Sequence, residues 1–308
     1  MKKALANLAS GNIKIGTCSW TDPTLTKTDA FYPSEQMTAE ERLGFYAENF
    51  PIVEVDSTYY APPVEKTAGL WVERTPPEFT FDVKAFRLLT QHPTPPSALW
   101  KDFRSELPAE MAEKRNIYMR DLPRPLQAEA VKRFRDALMP LHSAGKLGVV
   151  LFQMPPFVYP TRGSFGYLKW AAEHLDAFQL AVEFRNGRWL DEENRQDTLD
   201  FLERHDLAYV CVDEPQGFKS SVPPVTAATA RVAEIRFHGR NTETWEMKGI
   251  TAAERFRYDY SRKELREWVP RVRELADQAE SVSVLMNNCY ADLGIKSAYL
   301  MADLLYGD

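Results

Sequence analysis

Acidic, basic and amide side chains sit at the ends of short apolar runs in this chain, and their alternation decides which of them could meet. The runs begin near residues 13, 52, 79, 148, 180, 208, 234 and 282: IKIGTCSW, IVEVDST, FTFDVKA, GVVLFQM, LAVEFR, AYVCVD, EIRFHGR and VSVLMNN. Side chains alternate along a strand, so apolar residues facing a helical layer leave the other set on the opposite face. That set is Glu54, Asp56, Asp82, Lys84, Glu183, Arg185, Asp213, Arg236 and His238, with Arg240 just beyond. Gln153, Asn287 and Asn288 close two further strands, and Ser19-Trp20 closes the first.

Two chemistries suit this set. Arginine forks hold anion oxygens while carboxylates move protons, as an enzyme acting on a phosphoester or nucleotide-like substrate requires. In that reading Glu54 or Glu183 is the general base, its pKa raised by a like charge at Asp56 or Asp213. His238 is the acid or hydrogen-bond donor, and Lys84, Arg185, Arg236 and Arg240 touch the anion. The alternative uses Glu183, Asp213 and His238, on three successive strands, to hold a divalent metal for a sugar isomerase or hydrolase. Three nearby cations compete with such a metal, so a site without cofactor is the first expectation. A neutralised network filling a polar barrel is the bland reading, but buried ion pairs stabilise poorly compared with apolar packing and tend to mark function.

Trp20, Tyr32, Tyr59, Tyr60, Phe157, Trp189, Trp245, Tyr258 and Tyr260 fall near the same strand ends, where aromatic walls suit a sugar or base. With the arginines they also allow a non-enzymatic holder of a nucleotide or single-stranded nucleic acid. Cys18 falls on the inner phase, but no histidine is placed to activate it, which favours a small buried residue. Gly16 reads as close backbone packing, and no dinucleotide or Walker-type fingerprint is present.

The elements that must position these groups are strands alternating with helices. Thr38 with Glu41 forms a capping box opening a helix over 38–50, and Ser261 with Glu264 opens another over 261–279, where Pro270 predicts a kink or an N-terminal break. A third runs over 126–144 and stops at Gly145. Eight strands at spacings near 30 residues predict one eightfold β/α barrel, of the TIM type, spanning 1–308, with a doubly wound open sheet as runner-up. Two intervals are irregular. Residues 92–125, rich in proline and charge, read as an inserted loop or lid, and the Pro-rich 214–231 segment lacks a helical stripe.

Composition narrows the class further. With 38 Lys+Arg against 44 Asp+Glu, the net charge of −6 argues against non-specific nucleic-acid binding, though a local basic groove stays open. No apolar stretch approaches a membrane span, and the three scattered cysteines point to a reduced, cytoplasmic setting. Oligomeric state is left open.

Taken in order, IGTCSW (15–20), FYP (31–33), VEVDSTYY (53–60), LFQMPP (151–156), VEFRNGRW (182–189), VDEP (212–215), HGRN (238–241) and MNNC (286–289) resemble the YecE-like family, domain of unknown function 72. The resemblance extends from about residue 13 to the C-terminus and implies a β/α barrel; it implies no established activity. The 92–125 stretch departs from the usual pattern.

Overall fold

The structure, a computed structural model, describes residues 11–307. Eight parallel strands pair in sequence order and close into a barrel: β1 (Ile13–Thr17), β2 (Ile52–Val55), β3 (Thr80–Lys84), β4 (Leu147–Gln153), β5 (Gln179–Glu183), β6 (Ala208–Asp213), β7 (Val232–Phe237) and β8 (Ser281–Met286). Closure of β8 on β1 excludes the open sheet.

Around them lie α1 (Ala39–Asn49), α2 (Glu65–Glu73), α3 (Arg124–Ser143), α4 (Arg162–His174), α5 (Arg195–Arg204), α6 (Arg262–Gln278) and α7 (Leu293–Tyr306). Both capping boxes form, at Thr38/Glu41 and Ser261/Glu264, and α3 ends where Gly145 takes φ 66°. The break expected at Pro270 does not occur. Pro270 lies on the exposed side of α6, while Leu265, Trp268, Val272 and Leu275 bury the other side and hold both halves against the barrel. The hydrogen bond that proline removes is therefore lost where water can replace it. No helix lies between β6 and β7, as the missing stripe foretold. The chain there covers the strand directly: Thr229 Oγ1 accepts from Tyr209 N at 2.8 Å and donates to Leu207 O at 2.6 Å.

Residues 92–125 are not a lid. Leu99, Phe103, Leu107, Ile117, Met119 and Leu122 are buried in the main core, and Thr94 pairs antiparallel with Ile117. Arg133 on α3 ties the segment down through Asp102 at 2.7 Å and lies over the Trp100 and Phe103 rings. The prolines punctuate short turns of a packed unit whose apolar residues are too widely spaced to show a period.

The barrel wall separates two environments. Val53, Val55, Phe81, Val83, Val182, Phe184, Ile235 and Phe237 face the helices, whereas Cys18, Ile52 and Leu285 form a separate small apolar patch inside, with Cys289 beside it. Two glycines shape that interior. A Cβ on Gly16 would collide with the Ile52 carbonyl oxygen, and one on Gly148 with Asp82 Oδ1, at the register shift where Val149 N donates to Asp82. Gly16 thus serves strand packing. No helix among the described residues is long and apolar enough to cross a membrane. Gly16→Ala is expected to cost about 1–3 kcal/mol by overpacking, read as a lower urea midpoint with unchanged slope; an unchanged midpoint would show that β1 and β2 can separate freely.

Candidate active site

The carboxyl ends of the strands converge on one guanidinium. Arg236, on β7, is fully buried; its Nε donates to Glu54 Oε2 at 2.8 Å, its Nη2 to Glu54 Oε1 at 2.7 Å, and its Nη1 to Glu183 Oε2. Cys18 Sγ lies 3.6 Å from Nη2 and 3.5 Å from Glu54 Oε2. Glu183 is saturated on its other oxygen too, accepting from Gln153 Nε2 at 2.7 Å and Arg185 Nη1 at 3.1 Å. Burial pushes the Glu183 carboxyl up, but the charges of Arg236 and Arg185 outweigh it and hold the group well below the usual carboxylate range. A raised pKa at Glu183, expected from like-charged neighbours, is therefore not what the surroundings produce.

His238 extends the same row. Its Nδ1 lies 2.8 Å from Asn287 Nδ2 and its Nε2 3.2 Å from Glu183 Oε1, out of hydrogen-bond alignment. Burial lowers the imidazole to about 3, Glu183 only partly offsetting it, so the ring is neutral at physiological pH. With Nδ1 accepting from the amide, the proton sits on Nε2 and faces the carboxylate.

Two adjoining depressions open above this row, sharing Gln153 and Arg185. The inner, about 200 Å³, is lined by Asp22, Asp56, Tyr59, Lys84, Arg236, Asn287 and Cys289 among others. Asp56 begins the turn after β2, which Thr58 fastens by donating to Val55 O at 3.0 Å and Lys84 O at 2.6 Å. Burial raises the Asp56 carboxyl to about 6 against the pull of Lys84. Lys84 forms no ion pair among the described residues; its ammonium lies 4.8 Å from the centre of the Tyr59 ring, and burial together with Arg236 lowers its pKa. The outer depression, about 500 Å³, is walled by His92, Phe157, Tyr159 and Trp245, with Arg185 4.6 Å above the Trp245 ring.

Several expected members lie elsewhere. Asp213 faces the helices, because Val212 pairs with Arg236 and Asp213 with Phe237, which puts the valine inside and the aspartate out. It accepts from Trp268 Nε1 and Tyr260 OH, both at 2.6 Å, and grips Arg240 through three contacts. Arg240 is thus a partner of Asp213 and Glu267, not an anion contact in the mouth. Asn288 spends its amide on Tyr258 O and Ser297 Oγ. Trp20 packs edge-on against Trp71 of α2, carried outward by a turn in which Ser19 takes φ 121°, a strained value for an L residue. Tyr32, Trp189 and Tyr260 are buried packing residues. From 92–125 only His92 reaches either depression.

With Asp213 outside, the metal set Glu183, Asp213 and His238 is not assembled, and no three His, Cys, Asp or Glu side chains among the described residues are arranged to hold a metal ion. In place of Asp213 the interior receives Glu214, next in sequence. Its Oε2 lies 3.3 Å from Arg185 Nη1 without a hydrogen-bond partner, and its Oε1 accepts from Val222 N at 2.7 Å. Glu234 and Asp82 lie deeper: both Glu234 oxygens and Asp82 Oδ2 are unpartnered, and burial pushes Glu234 well up and Asp82 to about 7.

The chain matches the model of "Protein of unknown function DUF72" over residues 14–307. It belongs to the DUF72 family. UPF0759 protein YunF of Bacillus subtilis is 33% identical over 281 residues, covering 90% of this chain and 88% of that one. A DUF72 family protein of Thermotoga maritima superposes with a TM-score of 0.74 at 29% identity, covering 95% of this chain and 98% of the other. One from Enterococcus faecalis gives 0.76 at 24% identity over 95% of each chain. In this DUF72 barrel the segments TCSW, VDSTYY, LFQMPP, EFRNG and MNNC each contribute at least one lining residue to the mouth.

Truncating Arg236 strands two buried carboxylates, so Arg236→Met is expected to cost about 3–5 kcal/mol at neutral pH. Glu183, depressed in the folded state, contributes stability above its ordinary value of 4.5 and loses it as pH falls through the folded value. Without Arg236, burial outweighs the remaining cations at Glu183, so the deficit should narrow on acidification; a pH-independent deficit in urea titrations would contradict the charge-pair account.

Proposed function

We propose that this DUF72 protein is an enzyme acting on a small anionic substrate, most directly a phosphoester, at the carboxyl ends of the barrel strands. The observation that carries the reading is that Asp56, poised to about 6, shares the inner depression with Lys84, which has no carboxylate partner, and with Arg185. Lys84 and Arg185 hold the anion's oxygens. Asp56 takes the proton of an attacking water as its oxygen bonds to phosphorus, and returns it to the departing alkoxide as that bond breaks. Glu54 and Glu183 are positioning groups here: their lone pairs are committed to Arg236, Gln153 and Arg185, and they fix the floor against which the substrate rests. Asn287, on the inner depression, offers a hydrogen bond, while neutral His238 lies behind it between Asn287 and Glu183. Arg236, equally committed, supplies field more than contact.

The outer depression extends the substrate class. Phe157 and Tyr159 are 49% and 47% exposed beside Trp245, more aromatic surface than packing requires, which suits a nucleoside or sugar attached to the anion. The same surface favours a second reading, a protein that holds a nucleotide without turning it over. Nucleic acid stays a partner of that reading, and the divalent-metal isomerase loses its donor set.

The two are separated by activity on a panel of sugar phosphates and nucleotides. Turnover should rise with pH through about 6 as Asp56 ionises, and Asp56→Asn should remove that limb with a loss of about 100-fold or more. Lys84→Met should raise KM more than it lowers kcat. Binding without turnover in the wild type would favour the holder; neither binding nor turnover would sink the anion reading.

A further inference from the structure

Among the described residues Arg185 is the one cation that lines both depressions, and two carboxyls compete for it. Glu183 holds Nη1 at 3.1 Å in a hydrogen bond; Glu214 approaches the same nitrogen at 3.3 Å but is not aligned to accept from it. Glu214 is buried, and its other oxygen is fixed by Val222 N, in the covering segment after β6. A buried carboxyl left with an open oxygen beside a guanidinium is expensive if ionised and unaligned, and cheap if it carries a proton. We propose that Glu214 is a positioning residue that couples a proton to anion binding: protonated, it leaves Arg185 free to turn its charge on a dianion, and ionised, it claims that charge for itself. This rests on the anion-binding reading above and adds regulation to it.

The surroundings support the protonated form. Burial, joined by the negative charge of Glu183 on β5 and Asp213 on β6, raises the carboxyl to about 8 against the pull of Arg185 and of the Val222 N–H. Tyr209, on the outward phase of β6, is a phenol held neutral by its own burial and adds no charge. The sign follows. Below about 8 the acid is neutral and Arg185 answers to one carboxylate; above it Arg185 is shared by two, and a bound dianion must be given up or must keep the proton on. Gln at this position keeps an acceptor for Val222 N and can never ionise.

The test is the dissociation constant of inorganic sulfate, whose charge is constant across the range, measured by calorimetry at pH 7 and pH 9 on the wild type and on Glu214→Gln. Lys84 is the same in both proteins, so any change in its charge cancels in their ratio, which isolates Glu214. Equal affinities at pH 7 and about tenfold tighter binding by Glu214→Gln at pH 9 are expected for one coupled proton. Parallel pH profiles overturn the coupling while leaving the anion site intact, as does a variant weakened equally at both pH values. A wild type that binds no sulfate at either pH overturns the anion site and the coupling with it. Should the variant fail to fold, difference infrared spectra of the wild type decide: a protonated-carboxyl band lost with a midpoint near 8, moved upward by saturating sulfate, supports the proposal, and a midpoint that sulfate leaves in place refutes it.

Discussion

A guanidinium fully removed from water at the centre of a barrel is the constraint to which the other interior groups answer. Arg236 cannot lose its charge, so it must be met by carboxylates with near-ideal geometry. Glu54 on β2 and Glu183 on β5 meet it from two other strands, and the three side chains span the barrel where apolar layers would otherwise fill it. Two consequences follow for the neighbours. With Arg236 already committed, Asp82, Glu234 and Glu214 find too little positive charge to offset burial, and each is driven toward its neutral form. With Glu54 and Glu183 already committed, Lys84 keeps an ammonium without a carboxylate at the rim.

A second charge system, Asp213 with Arg240, Trp268 and Tyr260, lies behind the same strands. The two are divided by the chain itself at HGRN. His238 ends inside, Arg240 begins outside, and Gly239 makes the turn at φ 86°, where a Cβ would meet the Cβ of Tyr258. A positive φ marks the exit after β1, at Ser19, as it does the exit after β7, at Gly239.

Much of this was legible in the residues. The eight strands, the closed barrel and the inward placing of Glu54, Lys84, Glu183, Arg185 and Arg236 follow from alternation, because strands β2, β3, β5 and β7 put charge and hydrocarbon on opposite faces. Alternation was silent at β6. Tyr209 and Cys211 on one side and Val210 and Val212 on the other are all buried, so phase was set there by choosing the valines as outward, and Asp213 was carried inside by that choice. Glu214, one residue beyond, was missed for the same reason. Trp20, Asn288 and Arg240 belong to another class of error: they follow strand ends, where the path of the loop, not the pleat, directs the side chain. Contributions from afar, such as Phe256 and Ala252 to the inner depression, carry no local signal.

The two-faced burial of β6 bears on how the barrel assembles. A strand with apolar residues on both sides loses little hydrophobic energy when it slides by one position, so its pairing to β5 and β7 is weakly specified by packing alone. What discriminates the native alignment is its polar end: Asp213 reaches an indole, a phenol and a guanidinium only on the outside, and Glu214 reaches Val222 and Arg185 only on the inside. A shifted β6 would forfeit both sets at once. The adjacent acids thus act as a register key for the one segment of the wall that hydrophobicity leaves free to slip.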